Sequence, residues 1–339
     1  MYFWYILKKY VKNFFTVLFA LGVLFVIVDL SFNFSKLPYS SNLQVLYVSY
    51  QFLYALFILY PLAIIFSFLL TVSSMIKFNE FVSFYSLGFL PKKLLMPFFF
   101  FSLFFTFFVF LIQSTKLAYI NQYAAAIKSS EKLKDRDLFL KHNNKVVYIK
   151  ELNPIFKIAN DVRVFEINGD LKKMIYAPKA YFVNNRWYAK NAEITYFFEK
   201  EWIKEYKDVY FLKNFKPKIL SSLKSLNEIS FYDAYLTIRY FRDIDESKIL
   251  AIVFFKIFTP LSMIALMVIF FLTAPVHIRL SNITLFMIQS IILSILLWGG
   301  ELLLFKFSKQ GIIPYWSIAV PFVILFVLDI YFLRRKNEL

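Results

Sequence analysis

Four ionisable side chains interrupt apolar runs where a charge is costly: Asp29, Lys256, Glu301 and Asp329. Inside hydrocarbon such groups face a bundle interior or a cavity, and they seek an opposite charge. Asp29, Lys256 and Glu301 fall toward one end of their apolar runs. Asp329 falls toward the other, close to Arg334 and Arg335, which read as its local partners. Lys256 has two readings, a pair with a neighbouring carboxylate or a contact with a lipid phosphate. Other chemistry is missing. The chain has 0 Cys and 2 His (His142 and His277), which excludes Cys/His zinc sites and thiol chemistry. Neither HExxH nor GxSxG occurs. None of its glycines precedes a Lys, so no Walker A loop can wrap a phosphate, and the chain cannot hydrolyse ATP by that mechanism.

The elements that hold these charges are membrane spans. Hydrophobic residues make up 60% of the 339 positions and mean hydropathy is +0.59, well above a soluble domain. Six stretches are long enough to cross a bilayer as helices, which needs roughly 20 apolar residues. They are about Phe14–Phe34, Phe52–Ile76, Leu94–Ile112, Ile249–Ala274, Ile283–Phe305 and Tyr315–Leu333. The first is too long for a signal peptide and lacks a small-residue cleavage site, so it reads as an uncleaved span. Between the third and fourth lies a polar insert, about Thr115–Ser247. Lys8, Lys9, Lys12, Lys77, Lys92, Lys93, Arg279, Arg334, Arg335 and Lys336 all fall on one side. The opposite short loops carry only Lys36, Lys306 and Lys309. The positive-inside rule therefore predicts both termini in the cytoplasm and the insert outside. The domains so predicted are 1–114, 115–247 and 248–339. The net charge of +17 is read by its placement along the chain and not as nucleic-acid binding, and the insert's share of it, +7, fits a solvated surface or attraction to anionic headgroups.

Period-2 alternation in the insert predicts strands over Lys145–Ile149, Val162–Ile167, Lys173–Val183, Arg186–Phe197 and Trp202–Leu212. Asn168-Gly169-Asp170 and Asn184-Asn185 read as turns between them. This pattern implies an antiparallel sandwich or roll. Lys116–Lys134 reads as a helical extension of the third span. Ser230–Phe241 reads as a short helix with Ser230 and Asp233 in a capping box. The fold class is thus α+β, a membrane protein of three plus three spans with an inserted antiparallel β domain.

The loop between spans two and three predicts one more helix. Phe81, Phe84, Tyr85 and Gly88 share a face at i, i+3, i+4 and i+7. Gly88 suits the position after the helix end, and Pro91 cannot continue it. The expectation is a short cytoplasmic helix with an exposed aromatic face and one carboxylate, Glu80, near its start. Such a helix either docks a cytoplasmic partner or lies flat in the lipid interface.

Taken together, these stretches resemble the lipopolysaccharide-export permeases LptF and LptG along essentially the whole chain. Tyr60-Pro61-Leu62-Ala63, then Asn79-Glu80-Phe81 and Ser86-Leu87-Gly88-Phe89, resemble the family's second span and coupling helix. Asn144–Ile149 resembles the start of its β-jellyroll, and Phe255–Ser262 its fourth span. Ala274-Pro275 with Arg279, Gly311–Pro314 and Val320-Pro321 are similar as well. The Lys-Ile-Phe-Thr-Pro-Leu-Ser string and Val28-Asp29 look closer to LptG. The resemblance implies a non-enzymatic permease in the bacterial inner membrane with a periplasmic β-jellyroll, extracting lipopolysaccharide or lipooligosaccharide for the outer membrane. It implies a paralogous permease as heterodimer partner, a cytoplasmic ABC ATPase dimer that consumes the ATP, and periplasmic bridge proteins of the LptC/LptA type. No cofactor is implied for the chain itself. Glu80, Phe81, Phe84, Tyr85, Gly88 and Phe89 become ATPase-coupling residues, and Asp29, Lys256 and Glu301 candidate lipid contacts. Just above the third span the chain departs from the family, with Asn121-Gln122-Tyr123-Ala124 in place of basic residues. Lys116 and Lys128 are the nearest cations left for a headgroup. A signalling or scaffolding membrane protein whose β domain binds a protein is the alternative from another class.

Overall fold

The computed structural model describes residues 2–128, 135–142, 145–153, 157–168, 170–183, 186–197, 202–211, 229–240, 246–276 and 282–335. The expected turns at Gly169 and Asn184-Asn185, residues 129–134 of the expected helix, Arg279 and Lys336 lie outside these residues. Among the described residues six helices are long and apolar enough to cross a membrane. These are α1 (Tyr2–Asn33), α2 (Ser41–Lys77), α4 (Pro91–Gln113), α7 (Glu246–Thr273), α8 (Ile283–Lys309) and α9 (Val320–Arg335), the last preceded by a 3-10 turn at Tyr315–Ala319 that completes its span. The shorter helices are α3 (Glu80–Ser86), α5 (Ile120–Lys128) and α6 (Phe231–Tyr240). The chain divides into two compact units. One comprises residues 1–35, 48–120 and 250–339, and the other 36–47 and 121–249.

In the helical unit α1 buries one residue per turn, at Ile6, Tyr10, Phe14, Leu18, Gly22 and Val26. This i+4 ridge leaves the rest of the helix uncovered by the chain. Gly22 lets α1 approach α2 closely: a Cβ there would stand 2.8 Å from the Phe52 ring. In lipid, hydrophobicity does not pull helices together, so close packing and interhelical hydrogen bonds must. The bundle has such a point. Tyr10 is fully buried, and its hydroxyl donates to the Ile64 carbonyl on α2 at 3.1 Å. The same oxygen lies 2.9 Å from Ser102 Oγ on α4 and 4.0 Å from Met267 Sδ on α7. Phe98 and Phe101 meet the Tyr10 ring edge-on at 5.0 and 5.4 Å. Beside it, Asn13 donates to Thr71 Oγ1 at 2.8 Å, which ties α1 to α2 a second time.

The second unit holds a six-stranded antiparallel meander in sequence order. Its strands are β1 (Asp135–His142), β2 (Lys145–Asn153), β3 (Ile158–Asn168), β4 (Asp170–Val183), β5 (Arg186–Phe197) and β6 (Trp202–Phe211). The five strands expected from alternation are present, joined in one sheet among the described residues. β1 carries Asp135, Arg136, Asp137 and Lys141, which obscures its alternation and suits an edge strand. Rows of paired residues cross the sheet and are buried together, as in Val147–Val164–Ile175–Ile194. Beyond that row the buried phase slips by one residue in β2, β3, β4 and β5. Ile149 gives way to Leu152, Val162 to Ala159, Ala177 to Ala180, and Ala192 to Ala189. Asp161 and Asn191, with φ of 50° and 53°, stand on this line. The strand from Ala189 to Ala192 takes a register shift there. Asp208 clamps it, accepting from the Asn191 amide at 2.9 Å and the Tyr188 hydroxyl at 2.6 Å. Those two donors hold the Asp208 carboxyl below its ordinary range. The sheet therefore creases, and its apolar face stays on one side of the fold.

One expectation changes and another holds. The helix over Lys116–Lys134 is not an unbroken extension of the third span. Thr115 is extended, its hydroxyl accepts from the Leu117 amide, and a 3-10 turn at Lys116–Tyr119 precedes α5. The capping box before α6 is present: the Asp233 amide donates to Ser230 Oγ at 3.0 Å, and that hydroxyl donates to Asp233 Oδ2 at 2.9 Å.

Tyr10→Phe keeps the ring and removes only the hydroxyl. It should lower the thermal midpoint of the detergent-solubilised protein, at a cost of about 0.6 to 1.7 kcal/mol, the usual range for interhelical hydrogen bonds in membranes. An unchanged midpoint would mean that the hydroxyl contributes nothing to the bundle.

Candidate functional site

The loop between α2 and α4 is built by local rules. Asn79 takes a left-handed conformation, φ 57°, which ends α2 and turns the chain into α3. At the other end Gly88 has φ +79°, where an L side chain is strained. The Gly88 amide donates to the Tyr85 carbonyl at 3.0 Å and the Phe89 amide to the Phe84 carbonyl at 3.1 Å. This pair of bonds is a Schellman stop, and the Phe84 and Phe89 rings meet edge-on at 5.8 Å across it. Pro91 then begins α4 as its first helical residue.

The aromatic face of α3 turns inward, contrary to the expectation of an exposed face. Phe81 is only 3% exposed and meets the Phe271 ring of α7 at 5.9 Å. Phe84, Tyr85 and Phe89 pack against the same core. Burial pushes the Tyr85 phenol above its ordinary pKa. Phe89 also meets Tyr2 of α1 at 4.5 Å. The outward face is Val82, Ser83, Ser86 and Leu87, flanked by Phe78 and Leu90. An i, i+3, i+4, i+7 stripe is what any helix lays on a core, so spacing alone did not favour exposure.

Glu80 is held, not free. Lys9 of α1 donates to its Oε1 at 2.6 Å, with both side chains mostly buried. The Lys9 ammonium also lies over the Tyr5 and Phe78 rings at 6.0 and 5.9 Å. Lys9 was legible in the sequence only as a topogenic charge, because its partner lies 71 positions away. The short helix is thus fastened to α1 by an ion pair and to α7 by the edge-on contact of Phe81 with Phe271.

The intramembrane charges divide. Asp29 is half-buried and accepts from Asn33 at 2.8 Å within α1. Glu301 on α8 is 0% exposed, and neither carboxylate oxygen accepts a hydrogen bond among the described residues. Its polar neighbours are Thr259 and Ser262 on α7. The Ser262 hydroxyl donates to the Phe258 carbonyl instead, and Thr259 Oγ1 has no partner. Lys256, half-buried one turn before Thr259, makes no ion pair with Glu301. Asp329 is 7% exposed, its Oδ1 has no partner among the described residues, and no ion pair joins it to Arg334 there; the side chain of Arg335, the other expected partner, lies outside them. Lys116 is exposed and Lys128 half-buried.

A six-helix bundle with a short helix clamped between its second and third spans, and a β insert between the third and fourth, narrows the comparison. The family model described as lipopolysaccharide export system permease LptF/LptG matches residues 4–335. The chain belongs to that family. No curated protein matches it. As an LptF/LptG permease it is a multi-pass membrane protein of lipopolysaccharide export, and not a catalytic enzyme.

Replacing Gly88 by Ala forces a side chain into the left-handed region, at about 1–2 kcal/mol. Hydrogen exchange at the Phe89 amide should accelerate about 5- to 30-fold, while amides in the middle of α2 keep their protection. Equal rates in both proteins would show that the cap does not hold α3.

Proposed function

We propose that this chain is one of two paralogous transmembrane subunits of an ABC-type exporter, of the LptG kind. In this reading the exporter takes lipopolysaccharide or lipooligosaccharide from the outer leaflet of the bacterial inner membrane. A separate cytoplasmic ATPase dimer supplies the energy. The β domain, facing the periplasm, passes the lipid to bridge proteins of the LptC/LptA type, and both termini lie in the cytoplasm. The observation that carries the proposal is the fastening of α3. A helix of seven residues cannot resist force through its own ladder, but its ion pair with Lys9 and its Phe81 ring on Phe271 bind it to two spans. A push on its outward face, Val82, Ser83, Ser86 and Leu87, moves α1 and α7 with it. The Lys-Ile-Phe-Thr-Pro-Leu-Ser string of α7 and Val28-Asp29 of α1 support the assignment to the LptG side of the family.

Affinity purification of the tagged full chain in detergent should recover an ATPase dimer and a second permease. The complex should hydrolyse ATP faster when lipopolysaccharide is added. Gly88→Pro, which removes an amide donor and cannot adopt the left-handed backbone, should leave the complex assembled and break the link between ATP turnover and lipid release. Recovery of a periplasmic protein with no ATPase would overturn the export reading, as would normal transport by an assembled Gly88→Pro complex. Reporter fusions after Lys134 and Lys213 should be active outside and those after Phe89 and Lys336 inside.

A further inference from the structure

Between α4, α7 and α9 the helical unit forms a half-open cavity of about 590 Å³. Pockets that take drug-sized ligands span roughly 300–1,000 Å³. Its walls are apolar, with Phe99 and Leu103 from α4, Ile264 and Ala265 from α7, and Phe326 from α9. Three charged residues also line it: Lys92, Lys93 and Asp329. The lysines are exposed in the first turn of α4, directly after α3, and Asp329 lies on the last two turns of α9. All three sit toward the end of the bundle that carries α3.

Asp329 is more than nine-tenths buried, lines the cavity and leaves Oδ1 without a hydrogen-bond partner among the described residues. A carboxylate so placed needs a cation or a proton, because an unpaired buried charge is strongly unfavourable. Neither lysine forms an ion pair with it within the described residues. The cavity therefore offers a mostly apolar space, two ammonium groups and one buried carboxylate. An amphiphile that complements all three carries an alkyl chain, an anionic group and a positively charged donor beside that group.

We infer that this cavity binds a phospholipid with a primary-amine headgroup, taken from the leaflet on the α3 side. The ammonium of an ethanolamine headgroup sits on Asp329, its phosphate sits between Lys92 and Lys93, and one acyl chain fills the space between α4 and α7. A purely anionic phospholipid satisfies the lysines but sets its charge against Asp329. The site is distinct from the end of the bundle that holds Asp29, Lys256 and Glu301. Under the export reading above that leaflet is the cytoplasmic one, and only this naming rests on that reading.

Native mass spectrometry of the purified full complex tests this, with phosphatidylethanolamine and phosphatidylglycerol of identical acyl chains added in turn. The unsubstituted protein should retain the ethanolamine lipid about tenfold better, the factor carried by one charge-assisted contact. Asp329→Asn should bring the two lipids to about equal retention by weakening the ethanolamine lipid alone. Lys92→Gln with Lys93→Gln should weaken both. Ala265→Phe, which fills the wall without touching a charge, should also weaken both, and it carries the test if Asp329→Asn fails to fold by thermal midpoint. Equal retention of both lipids by the unsubstituted protein overturns the inference. So does a tenfold preference that survives in folded Asp329→Asn, or a photocrosslinker at Phe326 that captures a helix of another subunit instead of lipid. Lipopolysaccharide-stimulated ATP turnover, measured in the same preparations, keeps the two proposals apart. If the preference is absent while turnover is normal, the site falls and the export reading stands.

Discussion

The Tyr10 hydroxyl is the point on which the helical unit depends. Lipid tails are as apolar as the side chains they would replace, so burying Phe and Leu does not by itself choose which helices meet. A hydroxyl in hydrocarbon does choose, because it must find an acceptor. Tyr10 finds the Ile64 carbonyl, Ser102 and Met267, on α2, α4 and α7. One side chain on α1 thereby fixes the rotation of three other spans. The i+4 ridge of α1 and the gap left at Gly22 then follow as packing around that point.

The β unit solves a different problem by a related device. A long antiparallel meander with one buried face must bend, and a bend would turn that face outward in a strictly alternating strand. The one-residue slip shared by β2, β3, β4 and β5 prevents this. Asp161 and Asn191 take left-handed conformations on the crease, which Asp and Asn adopt more readily than most residues. Asp208 then holds the Asn191 corner from the neighbouring strand.

Much of this was readable in advance. The six spans, the five strands from Lys145 to Phe211, the α3 stop at Gly88 and the Ser230 cap each rest on residues close in sequence, where periodicity and capping rules act. What escaped was long-range. Which way Phe81, Phe84 and Tyr85 face depends on a core assembled from α1, α2, α4 and α7, which no local window contains. Lys9 looked like one of several topogenic cations, and only the folded chain joins it to Glu80. Asp329 looked paired because Arg334 is near in sequence, yet a helical offset of five places the two side chains on different faces. The crease was hidden for the same reason, since each slip breaks the alternation by which a strand is recognised.

The separations between partners also set an order of assembly as the chain is made. The Gly88 stop closes over five residues, and the Lys9–Glu80 pair needs only the first two spans. Tyr10 can reach Ile64 and Ser102 once α4 has entered the membrane. Met267 arrives 257 positions after Tyr10, when the whole β insert has already been synthesised. The first three spans and their short helix can thus form a satisfied half-bundle while the ribosome is still translating the insert. The later helices then dock onto a surface that already exists.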